Sequence, residues 1–313
     1  MHDRAAPRKA VEATSTTPRL AFVAVVVANI ALAFGPWFVR LADTGPVASA
    51  FWRMALGLPF IAALAMTVER RPIAIPRGVG WLLLAGGIAF AADLASWHIG
   101  ILKTTLANAT LFGNSATLIF PLYGFLVARA WPTRLQGLAL LLAAGGAALL
   151  MGRSMQLDPA RLTGDLLCVL AGVLYTVYFI AMARARETMA PLTTLALSTV
   201  ASAGPLLVFA WFMGERIWPH AWLPLVGLAL MSQVLGQGCM IYALGKLSPL
   251  VVGLALLVQP VVAGTIGWIV YGERLGAPDL VGAALVAVAL VLVRRGAVAE
   301  APPRAHLAGQ EAA

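Results

Sequence analysis

Long apolar runs separated by short polar or turn-forming segments cover most of the chain. A helix needs about 20 mostly apolar residues to cross the hydrocarbon core of a bilayer. Runs of roughly this length predict ten membrane-spanning helices, at residues 20–41, 46–67, 79–101, 104–128, 135–152, 164–183, 191–213, 222–243, 247–270 and 278–294. Turn-forming and charged residues lie between the runs, as in Ala42-Asp43-Thr44-Gly45. The pattern therefore predicts an all-α membrane protein.

The composition excludes a soluble protein. Of the 313 residues, 61% are hydrophobic and only 11% are charged, whereas soluble domains carry about 25% charged residues. The formal net charge is +9, but the basic residues are scattered singly between apolar runs, so no nucleic-acid partner is expected. Cys168 and Cys239 lie inside apolar runs, where cysteine is typically a small buried apolar residue.

The distribution of Lys and Arg predicts the orientation. If the N-terminus is cytoplasmic, fifteen basic residues lie on the cytoplasmic side and six on the opposite side, while Arg53 lies inside the second span. Because cytoplasmic loops are enriched in Lys and Arg, both termini are predicted to be cytoplasmic in a multi-pass protein of a bacterial inner membrane. The tails, 1–18 and 296–313, are rich in Ala, Pro, Arg and Glu, which predicts disorder.

An internal repeat divides the chain into two halves, 19–152 and 153–295. Lys103 and Lys246 each stand before an apolar run. The same spacing pairs Thr117 with Pro260 and Ala130 with Glu273. Five spans in each half force the second half to enter the membrane from the opposite side. Inverted repeats of this kind are typical of secondary transporters, although apolar sequences can also resemble each other by coincidence.

Several short motifs follow in a defined order across the two halves. They are Pro46 and Arg53, Thr105-Leu106-Ala107-Asn108-Ala109-Thr110-Leu111, Gly164-Asp165-Leu166-Leu167, Tyr242-Ala243-Leu244, Pro260 and Gly272-Glu273-Arg274-Leu275. In this order the chain resembles the EamA-type repeats of the drug/metabolite transporter superfamily, and it is most similar to the YddG-type amino-acid exporters. The first half departs from the family pattern, because Thr117 replaces the usual proline and Ala130 the usual glutamate.

Two charged residues lie within predicted spans. An ionisable side chain near the middle of a bilayer costs about 2.5–3.5 kcal/mol on insertion scales, so each needs a partner or a water-filled cavity. Arg53 in the second span and Asp93 in the third lie at similar depths below the outer surface. The sequence therefore predicts a structural ion pair between them, with a direct role in solute or proton handling as the alternative.

Amide, aromatic and other polar side chains recur in spans one, three, four, six, eight and nine. We expect them to line a central cavity that binds solute: Asn29, Trp37, Asp93, Trp97, His98, Asn108, Asn114, Tyr175, Tyr178, Gln233, Gln237 and Gln259. The alternatives are hydrogen bonding between helices for the amides and tyrosines, and anchoring at the membrane interface for the tryptophans. Spans five and ten are rich in Ala and Gly, which favours close helix packing or an oligomer contact.

These features predict a secondary transporter of small organic solutes, most of all amino acids, including aromatic or apolar ones, and related metabolites. It would act by alternating access as an exporter or facilitator, as a monomer or weak homodimer, with the lipid bilayer and the solute as its partners. The alternative within the superfamily is export of drugs, purines or other metabolites. An intramembrane enzyme or a structural membrane protein is less well supported. The chain has no G-x-S-x-G or H-E-x-x-H motif, and no catalytic residue, metal or cofactor is expected.

Overall fold

The computed structural model describes residues 16–70, 75, 78–115, 158–186, 188–244, 255–256, 258–273 and 276–299, and scattered positions between 119 and 149. These residues are predominantly helical. The helices are α1 (Thr16–Ala33), α2 (Gly35–Leu41), α3 (Pro46–Leu64), α4 (Gly80–Ile101), α5 (Leu106–Gly113), α6 (Pro159–Ala185), α7 (Pro191–Phe212), α8 (Leu223–Leu228), α9 (Gly238–Leu244), α10 (Val258–Tyr271) and α11 (Ala277–Ala299). Two wider π-helical segments continue α3 over Ala65–Glu69 and join α8 to α9 over Ala229–Gln237.

Within the described segments, six helical stretches are long and apolar enough to cross a membrane. They are Leu20–Leu41, Pro46–Glu69, Gly80–Ile101, Pro159–Met182, Pro191–Phe212 and Leu223–Ala243. An all-α architecture with several apolar spans is therefore confirmed. The count of ten spans and the cytoplasmic side of both termini stay predictions.

The remaining predicted spans are described only in part. Of run 104–128 the structure describes α5 and a few further positions, and Thr117, Pro121 and Ala130 lie outside the described residues. Helix α10 overlaps the second part of run nine, and α11 covers the whole of run ten. Because α1 begins at Thr16 and α11 ends at Ala299, helix extends a short way into the segments predicted to be disordered tails.

Proline and short polar side chains start several helices. Pro46, Pro159 and Pro191 each occupy a first helical position, where a missing N–H costs nothing because it would have no intrahelical partner. The carboxylate of Asp158 accepts a hydrogen bond of 2.8 Å from the Ala160 amide and so caps α6. The Thr105 hydroxyl accepts from the Asn108 amide at 3.2 Å and caps α5 in the same way.

Helices α3 and α7 cap each other reciprocally. Glu69, at the end of the π segment that continues α3, accepts from the backbone amides of Leu192 at 2.6 Å and Thr193 at 3.1 Å. Glu215, just beyond α7, accepts from the amides of Val47 at 3.3 Å and Ala48 at 2.8 Å. The end of each helix therefore lies at the start of the other, and the two run antiparallel.

The largest buried apolar cluster packs α3, α4, α6 and α7 together. Its members include Met54, Phe90, Leu94, Tyr178, Met182 and Leu206. Glycine permits the close approach, because a Cβ on Gly87 of α4 would collide with Ala201 of α7, including its backbone. Large apolar side chains remain on the outside, such as Phe212 at 74% exposure and Leu223 at 81%. An apolar exterior of this kind suits a lipid environment.

Loops at one end of the bundle are tied together by backbone hydrogen bonds. Asp43, which follows α2, accepts from the amides of His220 at 2.8 Å and Ala221 at 3.3 Å. The bond from His220 contributes most to lowering the pKa of Asp43 below its ordinary value. Beside these loops the indole of Trp52 donates to the Ile217 carbonyl at 2.7 Å. The α2–α3 and α7–α8 connections are thus held to each other.

Candidate functional site

A cavity of about 450 Å³, a volume that includes space open to solvent, lies between α1, α3, α4, α5, α6, the second π segment and α10. Its wall is formed by Leu32, Arg53, Phe90, Asp93, Leu94, Trp97, Thr110, Gly113, Asn114, Tyr175, Gln237 and Gln259. The structure therefore brings Arg53 and six of the predicted solute-binding residues to one place, from helices that are far apart in sequence.

Both predicted intramembrane charges face this cavity. The side chain of Arg53 on α3 is 2% exposed and that of Asp93 on α4 is 7% exposed. Among the described residues no nitrogen–oxygen contact within 4.0 Å joins Arg53 to Asp93. An ion pair is formed elsewhere, between Arg40 and Glu273. Nε of Arg53 donates to Oε1 of Gln233 at 3.2 Å, which holds the guanidinium against the π segment. The direct ion pair expected from the sequence is thus replaced by two opposite charges that share one cavity.

Amide side chains form short hydrogen-bond chains at and behind the wall. The Tyr175 hydroxyl donates to Oε1 of Gln237 at 3.2 Å, which links α6 to the π segment. Nε2 of Gln259 donates to Oδ1 of Asn29 at 2.7 Å, and Nδ2 of Asn29 donates to the Val25 carbonyl at 2.7 Å. Asn29 lies behind the wall and orients a residue on it.

Gln233 also lies behind the wall. Its Nε2 donates to the Thr199 hydroxyl at 3.1 Å, while its Oε1 accepts the bond from Arg53. Gln233 and Thr199 are both fully buried. Gln233 therefore contacts Arg53 on the cavity wall, and Thr199 contacts Gln233, although neither of the two lines the cavity.

Aromatic rings form much of the apolar part of the site. Phe90 stacks on Tyr178 with ring centroids 4.3 Å apart and planes inclined by 14°, and its centroid lies 6.0 Å from that of Tyr175. Tyr178 itself is buried behind the wall, with its hydroxyl 3.3 Å from Oγ of Ser198. Trp97 donates from its indole nitrogen to the Ala109 carbonyl at 3.0 Å, which ties α4 to α5.

Three further predicted residues lie away from the cavity wall. His98 is fully buried, with Nδ1 2.8 Å from Oγ of Ser49 and 3.2 Å from the Pro46 carbonyl oxygen. Trp37 packs against Phe38, with ring centroids 5.4 Å apart. Asn108 donates from Nδ2 to the Asp165 carboxylate at 3.4 Å. Each of these contacts is internal to the helix bundle.

Several residues at and around the site were not predicted from the sequence as candidate site residues. Asp165 is fully buried on α6 and also accepts from Oγ1 of Thr104 at 2.5 Å, so it joins α6 to the start of α5. The sequence singled it out only as part of a motif. Phe90 and Thr110, both on the cavity wall, look like ordinary membrane-helix residues and carry no distinguishing signal.

A cluster of polar contacts also joins α2, α5 and the end of α10. The guanidinium of Arg40, at the end of α2, bonds Oε1 of Glu273 at 2.6 Å and the Thr104 carbonyl at 2.5 Å. The other carboxylate oxygen of Glu273 accepts from the Leu106 amide at 3.0 Å. Across the described segments, no group of three or more His, Cys, Asp or Glu side chains is placed to hold a metal ion.

Comparison with known proteins places this architecture in a family. The model of the EamA-like transporter family matches residues 19–152 and 162–295, one match in each half of the chain. The chain belongs to the EamA-like transporter family. The two EamA repeats confirm the resemblance read from the motifs, and they indicate a membrane transporter of small solutes rather than an enzyme. Similarity to the YddG-type exporters in particular stays a prediction.

Similarity to other proteins extends to the fold. No curated protein matches this chain in sequence. Among solved structures 17 chains match. One of them, titled "Crystal structure of protein", aligns with a TM-score of 0.61 at 16% sequence identity and covers 89% of this chain and 97% of that one. At this identity the alignment shows a shared fold.

Proposed function

We propose that this EamA-family chain carries amino acids, including aromatic or apolar ones, and related metabolites across a bacterial inner membrane by alternating access. It acts as an exporter or facilitator, and as a monomer or weak homodimer. The observation that carries the substrate class is the presence of one cation and one anion, Arg53 and Asp93, on the wall of a single cavity. An amino acid presents the complementary pair of charges.

Arg53 and Asp93 together select the solute, because they attract a zwitterion and repel other charged solutes. The Arg53 guanidinium binds the carboxylate of the solute, and the Asp93 carboxylate binds its ammonium group. Charge-assisted hydrogen bonds of this kind are stronger than neutral ones. A polyanion would place negative charge beside Asp93, and a simple cation would place positive charge beside Arg53. Unfavourable pairs of this kind reject competing solutes.

The rest of the wall suits an apolar or aromatic side chain. Phe90, Trp97 and Tyr175 supply ring faces and edges, which favour offset or edge-to-face contact with another aromatic ring. Gln237, Gln259 and Asn114 add neutral polar groups to the wall.

The test is competition for uptake of labelled phenylalanine by purified protein in liposomes. The competitors are unlabelled phenylalanine, 2-phenylethylamine, which lacks the carboxylate, and 3-phenylpropionate, which lacks the ammonium group. We expect phenylalanine to compete at least about tenfold better than either analogue, because each analogue loses one charged contact.

Trp37→Phe serves as the matched control for this experiment, because Trp37 lies off the cavity wall and Phe keeps its aromatic packing. It should leave the ranking of the competitors unchanged. Equal competition by all three compounds would contradict the zwitterion assignment. Uptake no faster than in protein-free liposomes would contradict transport of amino acids altogether.

A further inference from the structure

We infer that Thr199 and Gln233, neither of which lines the cavity, are positioning residues that orient Arg53 for recognition of a carboxylate on the solute. The inference rests on the proposed function, because it concerns the same cavity. The three side chains form a continuous chain from α7 through the second π segment to α3, with distances of 3.1 Å between Gln233 and Thr199 and 3.2 Å between Arg53 and Gln233.

The direction of the hydrogen bonds is fixed at the Thr199 end. The Thr199 hydroxyl lies 2.7 Å from the carbonyl oxygen of Leu195 and donates its single proton to it. A hydroxyl has only one proton to donate, so toward Gln233 it can only accept. The nitrogen of the Gln233 amide must therefore face Thr199, and its oxygen must face Arg53.

The orientation of the Gln233 amide decides what Arg53 can do. The amide oxygen accepts the proton on Nε of Arg53; a flipped amide would direct an N–H group at that donor instead. With Nε engaged, the two terminal nitrogens of the guanidinium remain for the cavity, whose wall includes Arg53. A guanidinium presents these nitrogens as a planar fork that matches the two oxygens of a carboxylate.

Packing around the chain limits the movement of Gln233. A Cβ added to Gly57, one turn after Arg53 on α3, would lie 3.0 Å from Cγ of Gln233 and 3.1 Å from its Cβ. Glycine at this position thus lets the stem of Gln233 lie directly against α3. The π segment Ala229–Gln237 places Gln233 toward α3 and α7 while Gln237 reaches the cavity.

The decisive variant is Thr199→Val, which keeps the shape of the side chain and removes the hydroxyl. Gln233 then loses the partner that fixes its orientation. In liposomes we expect the KM for phenylalanine to rise about tenfold with kcat changed less than about twofold. Competition by 2-phenylethylamine, which has no carboxylate, should not change. A purely structural defect would alter both compounds alike.

Two control variants test whether the rise in KM of Thr199→Val comes from loss of this hydroxyl. Thr199→Ser keeps the hydroxyl and should restore the wild-type KM. Thr194→Val removes an equally buried hydroxyl of α7 that bonds the Ala190 carbonyl at 2.8 Å, and it should leave the KM unchanged. A wild-type KM in Thr199→Val, or equal losses for phenylalanine and 2-phenylethylamine, would overturn the inference.

A second measurement keeps the inference separate from the proposed function. If the wild type carries no amino acid, the proposed function fails, and the hydrogen-bond chain is judged by a double-mutant cycle of melting temperatures. In that cycle, Thr199→Val and Gln233→Met should each destabilise the protein and combine less than additively, because both break the same chain. Strict additivity would overturn the inference independently of any solute.

Discussion

Two buried aspartates show how surroundings set the role of a residue. Asp93 and Asp165 both lie within apolar helices and are 7% and 0% exposed. Asp165 accepts hydrogen bonds from Thr104 and Asn108 and joins two helices. Asp93 faces the cavity, and in the described part of the chain no cationic side chain lies within 4.0 Å of its carboxylate. The first carboxylate therefore joins two helices, whereas the second lines the cavity and, under the proposed function, binds the solute.

Neutralising each aspartate in turn should separate these roles. Asp93→Asn should raise the KM for phenylalanine at least about tenfold, since the ammonium group of the solute loses its charged partner, with little change in melting temperature. Asp165→Asn should lower the free energy of unfolding by about 1–3 kcal/mol, because the amide replaces one buried acceptor oxygen with an NH2 donor and removes the charge that strengthens the remaining hydrogen bonds. Uptake and thermal melting of both purified variants test this. The reverse pattern would contradict the assignment.

At the residue scale the sequence predicted the polar chemistry of the site but not which side chains reach the cavity. Gln233 and Gln237 are equally polar and one turn apart, yet only Gln237 lies on the wall. The difference depends on how α3 and α7 pack against the π segment. Phe90 gave no signal at all, because an apolar residue in a membrane helix looks the same whether it faces lipid, core or cavity.

Among the helices, the most distinctive feature is the exchange of caps between α3 and α7. Glu69 and Glu215 each accept two backbone amides at the start of the other helix. A carboxylate at a helix N-terminus satisfies free N–H groups and interacts favourably with the helix dipole. The antiparallel pair is therefore fastened at both ends.

Removing one carboxylate should weaken one end alone. Glu215→Ala and Glu69→Ala should each lower stability by about 0.5–2 kcal/mol, the range measured for the loss of a cap. The double variant should lose close to the sum, because the two caps lie at opposite ends of the helices and share no partner. Melting temperatures of the three variants measure this.

Asp158→Asn is a control for the cap variants, because asparagine caps a helix about as well as aspartate, so α6 should be unaffected. A strong departure from additivity, or no loss in either single variant, would contradict reciprocal capping.

The apolar runs predicted the long helices well. They did not predict the π segments, because a wider turn depends on packing with neighbouring helices and not on hydropathy.

For the molecule as a whole, the distribution of charge remains the basis for its orientation in the membrane. The basic residues predict that Arg184 is cytoplasmic and Lys103 lies on the opposite side. Both side chains are exposed. The family model matches two EamA repeats, at 19–152 and 162–295, whereas the side on which each loop lies depends on a bilayer and not on packing alone.

Cysteine labelling can test the orientation directly. In a background with Cys168→Ala and Cys239→Ala, a membrane-impermeant maleimide should label Lys103→Cys in intact cells. It should label Arg184→Cys only after the membrane is opened, because cytoplasmic loops are enriched in basic residues. Labelling of Arg184→Cys but not Lys103→Cys in intact cells would show the opposite orientation.

The proposed function requires the cavity containing Arg53 and Asp93 to carry amino acids across the membrane. Counterflow measures this transport: liposomes containing the purified protein and loaded with unlabelled phenylalanine are diluted into a trace of labelled phenylalanine. A carrier should accumulate label transiently above its equilibrium level, and Arg53→Lys, which lacks the planar fork, should reduce the overshoot strongly. Label that rises no faster than in protein-free liposomes, or an overshoot unchanged in Arg53→Lys, would contradict the proposed function.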